Sequence, residues 1–365
     1  MRVAIIGTRG IPANYGGFET FAEELSKRLV ARGHEVTVYC RSHYVDPELT
    51  EFNGVKLVVL PTLRHKYLDT VIHSLLSMLN AVPRRFNAVL VCNAANSPLI
   101  PILEWTGTPV AINVDGLERN RKKWNALGRL YYSFGEKASL WFASRVVTDA
   151  RVIRDYYKER YNADSTLIAY GAEIGRSPAP EVMKRYEVDS DDYILYLSRL
   201  EPENNAAMVI EGFKKVDTKK KLIIVGDAPY ADAYKEHLRS LADNDERIDF
   251  IGAIYGADKR ALEQNCAAYI HATEVGGTHP ALIEAMGAGN CCLVYNTPEN
   301  AEVAGDAGLY YSDADSLTEL LTRVTSDPEM VESYRKRAQD RVRENYNWEK
   351  VTDEYENLLA TIANQ

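Results

Sequence analysis

The loop GTRGIPANYGGFET, residues 7–20, constrains this chain more than any other segment. It follows a short apolar run, Arg2 to Ile6, and leads into a helical pattern from Phe18 to Arg32. A strand, a glycine-bearing loop and a helix start make an anion-binding device. Glycine lets backbone approach a ligand, and unpaired N–H groups at the helix start point at negative charge. Gly16 and Gly17 stand where the helix begins, and Arg9 adds a cation to the loop. About ten residues separate Gly7 from the helix, far more than the tight turn of a dinucleotide fingerprint. The spacing predicts a doubly wound α/β domain whose first loop reaches toward something bulky. It argues against an NADP-dependent oxidoreductase, which Gly7 and Arg41 after the second strand would otherwise suggest.

Strand-like and helix-like segments alternate through the N-terminal half. Candidate strands are Arg2–Ile6, Glu35–Cys40, Val55–Leu60, Ala88–Cys92, Val110–Asn113, Arg145–Thr148 and Thr166–Ile168. The pattern restarts with Tyr193–Ser198, Lys221–Val225, Asp249–Ile251, Ala268–His271 and Cys292–Tyr295. Such alternation favours parallel sheets covered by helices on both faces. Between the two sets lies GAEIGRSPAPE, residues 171–181, rich in Gly, Pro and Ala and without periodicity. The expected fold class is α/β, with two Rossmann-like domains, residues 1–172 and 173–345. Their crevices, at the strand carboxyl ends, are expected to face a central cleft. In the tail, Trp348, Val351, Tyr355 and Leu358 or Leu359 share one helical face. Residues 346–365 are therefore expected to bury that face on the N-terminal domain.

Charge is unevenly divided. Residues 1–170 carry 22 Lys and Arg against 16 Asp and Glu, whereas residues 171–365 carry 21 against 36. A basic half suggests contact with an anionic surface. Nucleic acid is disfavoured, because the basic segments lack interleaved aromatics on a recognisable module. An anionic membrane or phosphate-bearing lipid fits better. The opening MRVAIIG goes straight into a strand, and no apolar run reaches the roughly 18 residues that span a bilayer. A cytoplasmic protein, peripheral at the cytoplasmic membrane face, is expected. Cys40, Cys92, Cys266, Cys291 and Cys292 form no CxxC pair and read as small buried hydrophobes. No His/Cys cluster has ligand spacing, so no metal is expected.

Two segments of the second half carry chemistry. In SRLEPENN, residues 198–205, Arg199 follows a strand and offers a planar fork for phosphate oxygens. In HATEVGGTHPALIEAMGAG, residues 271–289, a strand leads through a glycine turn to a helix whose first turn holds Pro280. Backbone groups around Gly277, Thr278, Ala281 and Leu282 would converge on an anion. Glu284, a turn further on, would repel phosphate but can accept hydrogen bonds from a ribose diol.

Together these residues resemble glycosyltransferase family 4, of the GT-B fold, over essentially the whole chain. The first loop, VDGLERNRKKW at 114–124, EPENN and VGGTHPALIEAM look like the subgroup containing bacterial rhamnosyltransferases of polysaccharide assembly. The resemblance implies that Glu284 holds the ribose and Arg199 a phosphate of a nucleotide-sugar donor. It also implies that the loop Gly252–Tyr255, with Ile254 and Tyr255, frames the base, and that Gly226 and Asp227 line the same cleft. Two positions depart from the family. Asn204 replaces a lysine beside the leaving phosphate, and Gly276 replaces a second glutamate. Arg9 is the candidate to restore some of the lost positive charge. The resemblance implies retention at the sugar carbon. With no evident nucleophile, same-face displacement would rest on electrostatic stabilisation of the diphosphate, without a metal or other cofactor.

The acceptor is expected on the N-terminal half. Asp115 ends a strand and can orient or deprotonate a hydroxyl, with Glu118 as second choice; many family members carry a histidine here. Arg119, Arg121, Lys122, Lys123 and Trp124 form a basic, aromatic edge. RHKYLDTVIHSLLSMLNAVPRR, residues 64–85, places Leu68, Val71, Ile72, Leu75, Leu76 and Leu79 at helical spacing between basic ends. It reads either as a buried helix or as a surface for an anionic membrane or a lipid-pyrophosphate-linked acceptor. The expected function is transfer of L-rhamnose from dTDP-rhamnose to a lipid-linked saccharide. The alternatives are a nucleotide-sugar epimerase of the same fold and a non-catalytic sugar-nucleotide-binding protein.

Overall fold

Short runs of Val, Ile and Leu, shielded on both sides, form the strands of two sheets. The structure is a computed structural model and describes residues 1–65, 68–120, 124–228, 231–243 and 245–365. It divides into two units, Met1–Tyr170 with Trp348–Gln365, and Gly171–Asn347.

In the first unit the strands are β1 (Arg2–Ile6), β2 (Glu35–Arg41), β3 (Glu51–Phe52), β4 (Val55–Leu60), β5 (Ala88–Cys92), β6 (Val110–Asn113), β7 (Arg145–Thr148) and β8 (Thr166–Leu167). They lie in the order β3-β4-β2-β1-β5-β6-β7-β8, and β3 alone among them pairs antiparallel. The helices are α1 (Gly17–Ala31), α2 (Asp69–Ala81), α3 (Pro101–Glu104), α4 (Ala126–Phe142) and α5 (Arg151–Tyr161). Met78 and Ala81 of α2, Leu103 of α3, and Ile153 and Tyr157 of α5 share one core cluster with Ile6, Val89, Val91 and Ile112 of the sheet. The last helix of the chain packs against α1.

In the second unit the strands are β9 (Tyr193–Leu197), β10 (Lys221–Val225), β11 (Ile248–Gly252), β12 (Ala268–His271), β13 (Cys292–Tyr295) and β14 (Gly308–Tyr311). All pair in parallel, in the order β11-β10-β9-β12-β13-β14. This is the doubly wound order, in which the direction of winding reverses between β9 and β12 and leaves a crevice at their carboxyl ends. The helices are α6 (Pro180–Arg185), α7 (Ala206–Lys214), α8 (Asp232–Ala242), α9 (Gly256–Asn265), α10 (Pro280–Gly287), α11 (Pro298–Ala304), α12 (Ala314–Ser326) and α13 (Pro328–Asn345).

The last helix, α14 (Trp348–Ala363), belongs to the first unit. Trp348, Val351, Tyr355, Leu358 and Leu359 are all buried, each stabilising this docking by about 1.5–3 kcal/mol. Tyr355 packs on Phe21 of α1 with ring centroids 5.1 Å apart, and its hydroxyl accepts from Asn113 Nδ2 at 2.9 Å. At the rim Arg32 meets Glu349, Asp353 and Glu356.

Candidate active site

Two loops meet at the carboxyl ends of β9 and β12. The backbone N–H of Glu274 donates to the carbonyl of Glu203 at 2.9 Å, and Asn205 Nδ2 donates to the carbonyl of Ala272 at 2.9 Å. The segment carrying Arg199 and the segment entering α10 are thus zipped together. Gly226, after β10, closes the same edge. Its φ is +150°, and a Cβ there would stand 1.8 Å from the Ser198 carbonyl oxygen, so only glycine fits. Its N–H donates to the Gly252 carbonyl at 2.9 Å, which ties in the loop after β11.

Arg199 is half-buried, with Nη1 3.7 Å from Glu201 Oε2. Its carbonyl accepts from Asn204 Nδ2 at 2.7 Å, while the Asn204 carbonyl accepts from the Tyr196 hydroxyl at 2.7 Å. Asn204 is buried, so the residue in the family's lysine position braces the Arg199 turn from within. Asp227 is paired with Lys235 at 2.8 Å, which holds its carboxyl below the usual range. Ile254 is half-buried, and Tyr255 is an exposed residue immediately before α9.

Glu284 does not stand alone. Lys259 of α9 bonds its Oε2 and lies 3.4 Å from Glu263 Oε1. Burial works against the Lys259 charge, but Glu263 and Glu284 outweigh it and hold the ammonium charged. Burial pushes the Glu263 carboxyl up to about 7 against the pull of Lys259. The sequence reading missed both partners. The only signal was the i,i+4 spacing of Lys259 and Glu263, which is also that of an ordinary surface pair.

The turn before α10 is packed around His279. Its Nδ1 lies 2.6 Å from Asn300 Oδ1, and Asn300 Nδ2 donates to the carbonyls of Thr273 and Tyr295 at 2.9 Å each. A Cβ on Gly276 would stand 2.1 Å from His279 Nε2. The imidazole therefore fills the space that a side chain at 276 would need. Gly277 and Thr278 are buried in this turn. Leu282 requires a correction: its N–H donates to the His279 carbonyl at 3.0 Å and is not an open anion donor.

In the first unit the long loop folds back on α1. The Arg9 N–H donates to Glu19 Oε1 at 2.8 Å, and the Ala13 N–H to Glu23 Oε2 at 2.7 Å. Glu19 is buried beside Gly16, which precedes Gly17 at the start of α1. An internal carboxylate thus stands at the helix start that carries Gly16 and Gly17, the two glycines expected to meet the donor. The Arg9 guanidinium lies 3.4 Å from the Tyr15 ring centroid and 5.2 Å from that of Tyr44. Burial opposes its charge, but Tyr15, Glu19 and Tyr44 hold its pKa above the usual value. Asp115 follows β6 with φ +60°, a conformation that costs a non-glycine residue and recurs at functional positions. Its N–H donates to Asn113 Oδ1 at 3.0 Å. Burial raises the Tyr170 phenol, and the Asp115 and Asp149 carboxylates add to the effect. Asp149, buried just after β7, is a second carboxylate that sequence reasoning missed. Glu118 opens a short 3-10 turn, Glu118–Asn120.

Two residues of the basic edge expected at 119–124, Arg119 and Trp124, are placed otherwise than expected. Arg119 Nε lies 3.5 Å from buried Glu136 Oε1, and its guanidinium sits over the Tyr156 ring, 5.2 Å from the centroid. Trp124 packs on Tyr132 with centroids 5.1 Å apart and closes over Gly128. Both side chains turn inward, toward α4. Arg121, Lys122 and Lys123 lie outside the described residues.

Residues 180–341 match the family described as glycosyl transferases group 1, and residues 16–171 match the glycosyl transferase 4-like domain. With its two doubly wound, largely parallel sheets, the chain belongs to the glycosyltransferases of GT-B fold. It is similar to the alpha-monoglucosyldiacylglycerol synthase of Streptococcus pneumoniae, with 24% identity over 51% of this chain and 46% of that protein. The chain thus matches under half the length of that relative. Among solved structures, sucrose-phosphate synthase from Thermosynechococcus elongatus superposes with a TM-score of 0.80 at 17% identity, over 99% of this chain and 98% of that one. The Anabaena protein HepE in complex with UDP-glucose also gives 0.80, at 15% identity, over 99% and 100%. Among the described residues no helix is long and apolar enough to cross a membrane.

Proposed function

We propose that this chain transfers a sugar, L-rhamnose from dTDP-rhamnose, to a lipid-pyrophosphate-linked saccharide in cell-surface polysaccharide synthesis. The observation that carries the reading is the joining of the Arg199 loop to the turn before α10 at the reversal point of the second sheet. One cation and a helix start there can seat a diphosphate, and a carboxylate pinned by Lys259 can accept from ribose hydroxyls. The complexes of the Anabaena protein with UDP and UDP-glucose support a nucleotide donor, and the glucosyldiacylglycerol product of the pneumococcal synthase supports a lipid acceptor.

In the reaction the bond from the anomeric carbon to the diphosphate oxygen breaks, and a bond from the acceptor oxygen to that carbon forms on the same face. Arg199 and the backbone before α10 stabilise the departing charge, with no metal assigned. Asp115 takes or orients the acceptor hydroxyl proton, and Glu118 is its neighbour along the chain. The protein acts at the inner face of the anionic membrane, through its N-terminal unit.

Incubation with dTDP-rhamnose and a lipid-linked acceptor should release dTDP in step with acceptor glycosylation. UDP-glucose and GDP-sugars serve as comparison donors. Absence of turnover with every sugar nucleotide overturns the reading, and donor loss without acceptor replaces it with epimerisation.

A further inference from the structure

Two helices of the first unit are built inside out. In α2 the polar side chains face the sheet. Asp69 pairs with buried Arg41, Thr70 Oγ1 accepts from Arg41 Nη2 at 3.3 Å, His73 Nε2 meets the Cys40 carbonyl at 3.0 Å, and Asn80 Oδ1 accepts from the Tyr39 hydroxyl at 3.2 Å. His73, Ser74 and Ser77 are buried, whereas Val71, Ile72, Leu75 and Leu76 are half-buried and Leu79 is exposed. The periodicity is that of an amphipathic helix; Met78 and Ala81 reach the core, but its other apolar positions stay partly or fully exposed.

Helix α4 repeats the pattern. Gly128, Gly135, Glu136, Ala138 and Ser139 face inward. Gly135 presses so close to the turn Ala94–Leu99 that a Cβ would meet the Ala94 carbonyl oxygen at 2.4 Å. Outward, Leu127, Leu130, Phe134 and Trp141 recur at i, i+3, i+7 and i+14, and between 45% and 74% of each is exposed. Phe134 and Trp141 touch, with ring centroids 6.3 Å apart. Helix α2 packs on the same turn as α4, and also on α3, which is followed by Trp105 at 83% exposure. Large apolar side chains at this density on one layer mark an interaction surface.

Charge identifies the occupant. Residues 61–105 and 124–145 contain three carboxylates, Asp69, Glu104 and Glu136. All three turn inward: Asp69 to Arg41, Glu104 to the N–H groups of Val110 and Ser144, and Glu136 to the hydroxyls of Tyr156 and Tyr161. Among the described residues, the cations of the same segments, Arg64, Arg84, Arg85, Arg129, Lys137 and Arg145, are exposed. An apolar stripe with tryptophans, bordered by cations and emptied of outward carboxylates, fits the headgroup boundary of an anionic bilayer. We infer that the outer faces of α2 and α4 are the surface by which this protein lies on an anionic lipid membrane. The inference rests on the proposed function and deepens it by assigning the membrane contact to these helices. Its test is read without donor or acceptor, so either can fail alone.

The test is co-sedimentation of the full chain with phosphatidylethanolamine vesicles holding about 30% phosphatidylglycerol, against phosphatidylcholine vesicles. The anionic vesicles should bind more strongly, and a substantial part of that binding should survive about 0.5 M salt. Leu130→Gln with Trp141→Gln should weaken the partition constant about tenfold or more, with the unfolding midpoint unchanged because both side chains are exposed. Leu79→Gln should weaken it independently from α2, and Arg129→Gln with Lys137→Gln should remove the preference for anionic lipid. The inference is overturned if the parent ignores anionic vesicles, or if binding withstands the Leu130 and Trp141 changes. It is equally overturned if those changes split a dimer while vesicle binding is absent, since the stripe is then a contact between copies of this chain.

Discussion

Replacing Gly276 by alanine tests the packing that shapes the turn into α10. The new carbon would stand 2.1 Å from His279 Nε2 and 2.7 Å from Cδ2. Atoms of these kinds rest about 3.5 Å apart, so the ring must retreat by roughly 1.4 Å. It has little room, because Nδ1 is held 2.6 Å from Asn300 Oδ1 and the ring faces His271 at 5.0 Å between centroids. Asn300 is in turn fixed by two backbone carbonyls. Overpacking of this kind costs about 1–3 kcal/mol, and a strained or lost buried hydrogen bond adds about 1 kcal/mol. Gly276→Ala should therefore lose about 2–4 kcal/mol in urea unfolding followed by circular dichroism. His279→Ala removes the obstructing ring. The double variant should be more stable than the sum of the single effects by at least about 1 kcal/mol. A Gly276→Ala protein with the parent's midpoint, or strictly additive losses, would refute the claim that the imidazole excludes a side chain at 276.

Three further outcomes follow from the site. Burial raises the Glu263 carboxyl to about 7 from an ordinary value of 4.5. Its stabilising contribution is therefore full below that ordinary value and lost as pH rises through the raised one. Glu263→Gln keeps a neutral group there, so its thermal midpoint relative to the parent should climb between about pH 5 and pH 8; parallel curves would contradict this. Lys259→Met removes the cation that pins Glu284 and should weaken nucleoside diphosphate binding about tenfold by calorimetry, and unchanged affinity would contradict it. Asp115→Asn preserves a residue type tolerant of positive φ. It should cut transfer by about a hundredfold or more while leaving dTDP affinity within about twofold; lost affinity with retained turnover would reverse the assignment.

The strands were legible because short Val/Ile/Leu runs between turn residues leave few alternatives. Two strands escaped. β3 has only two residues, and β14, Gly308–Tyr311, follows a glycine-bearing turn without a long apolar run. Arg199, Gly226 and the turn before α10 were legible because each directly follows a strand end. Periodicity located α2 but not its polarity, since inward polar groups become tolerable only once Arg41 and the Cys40 carbonyl receive them. Arg119 looked exposed because its partner Glu136 lies on another element. Lys259 looked like a surface residue for the same reason, its carboxylate partner Glu284 being on α10. Glu19 and Glu23 sit within reach of the first loop in sequence, but their backbone partners depend on how that loop turns. Contacts between distant segments, and which face of a helix is covered, arise from packing and leave little local trace.

The most direct measurement is calorimetric titration of dTDP into the parent protein, Arg199→Ala and Glu284→Gln. The account predicts saturable one-to-one binding by the parent. Each variant should weaken it about tenfold or more, since each removes a charged partner of the ligand. Binding that persists unchanged in both variants, or no binding of any nucleoside diphosphate by the parent, would contradict a donor site built from the Arg199 loop and α10.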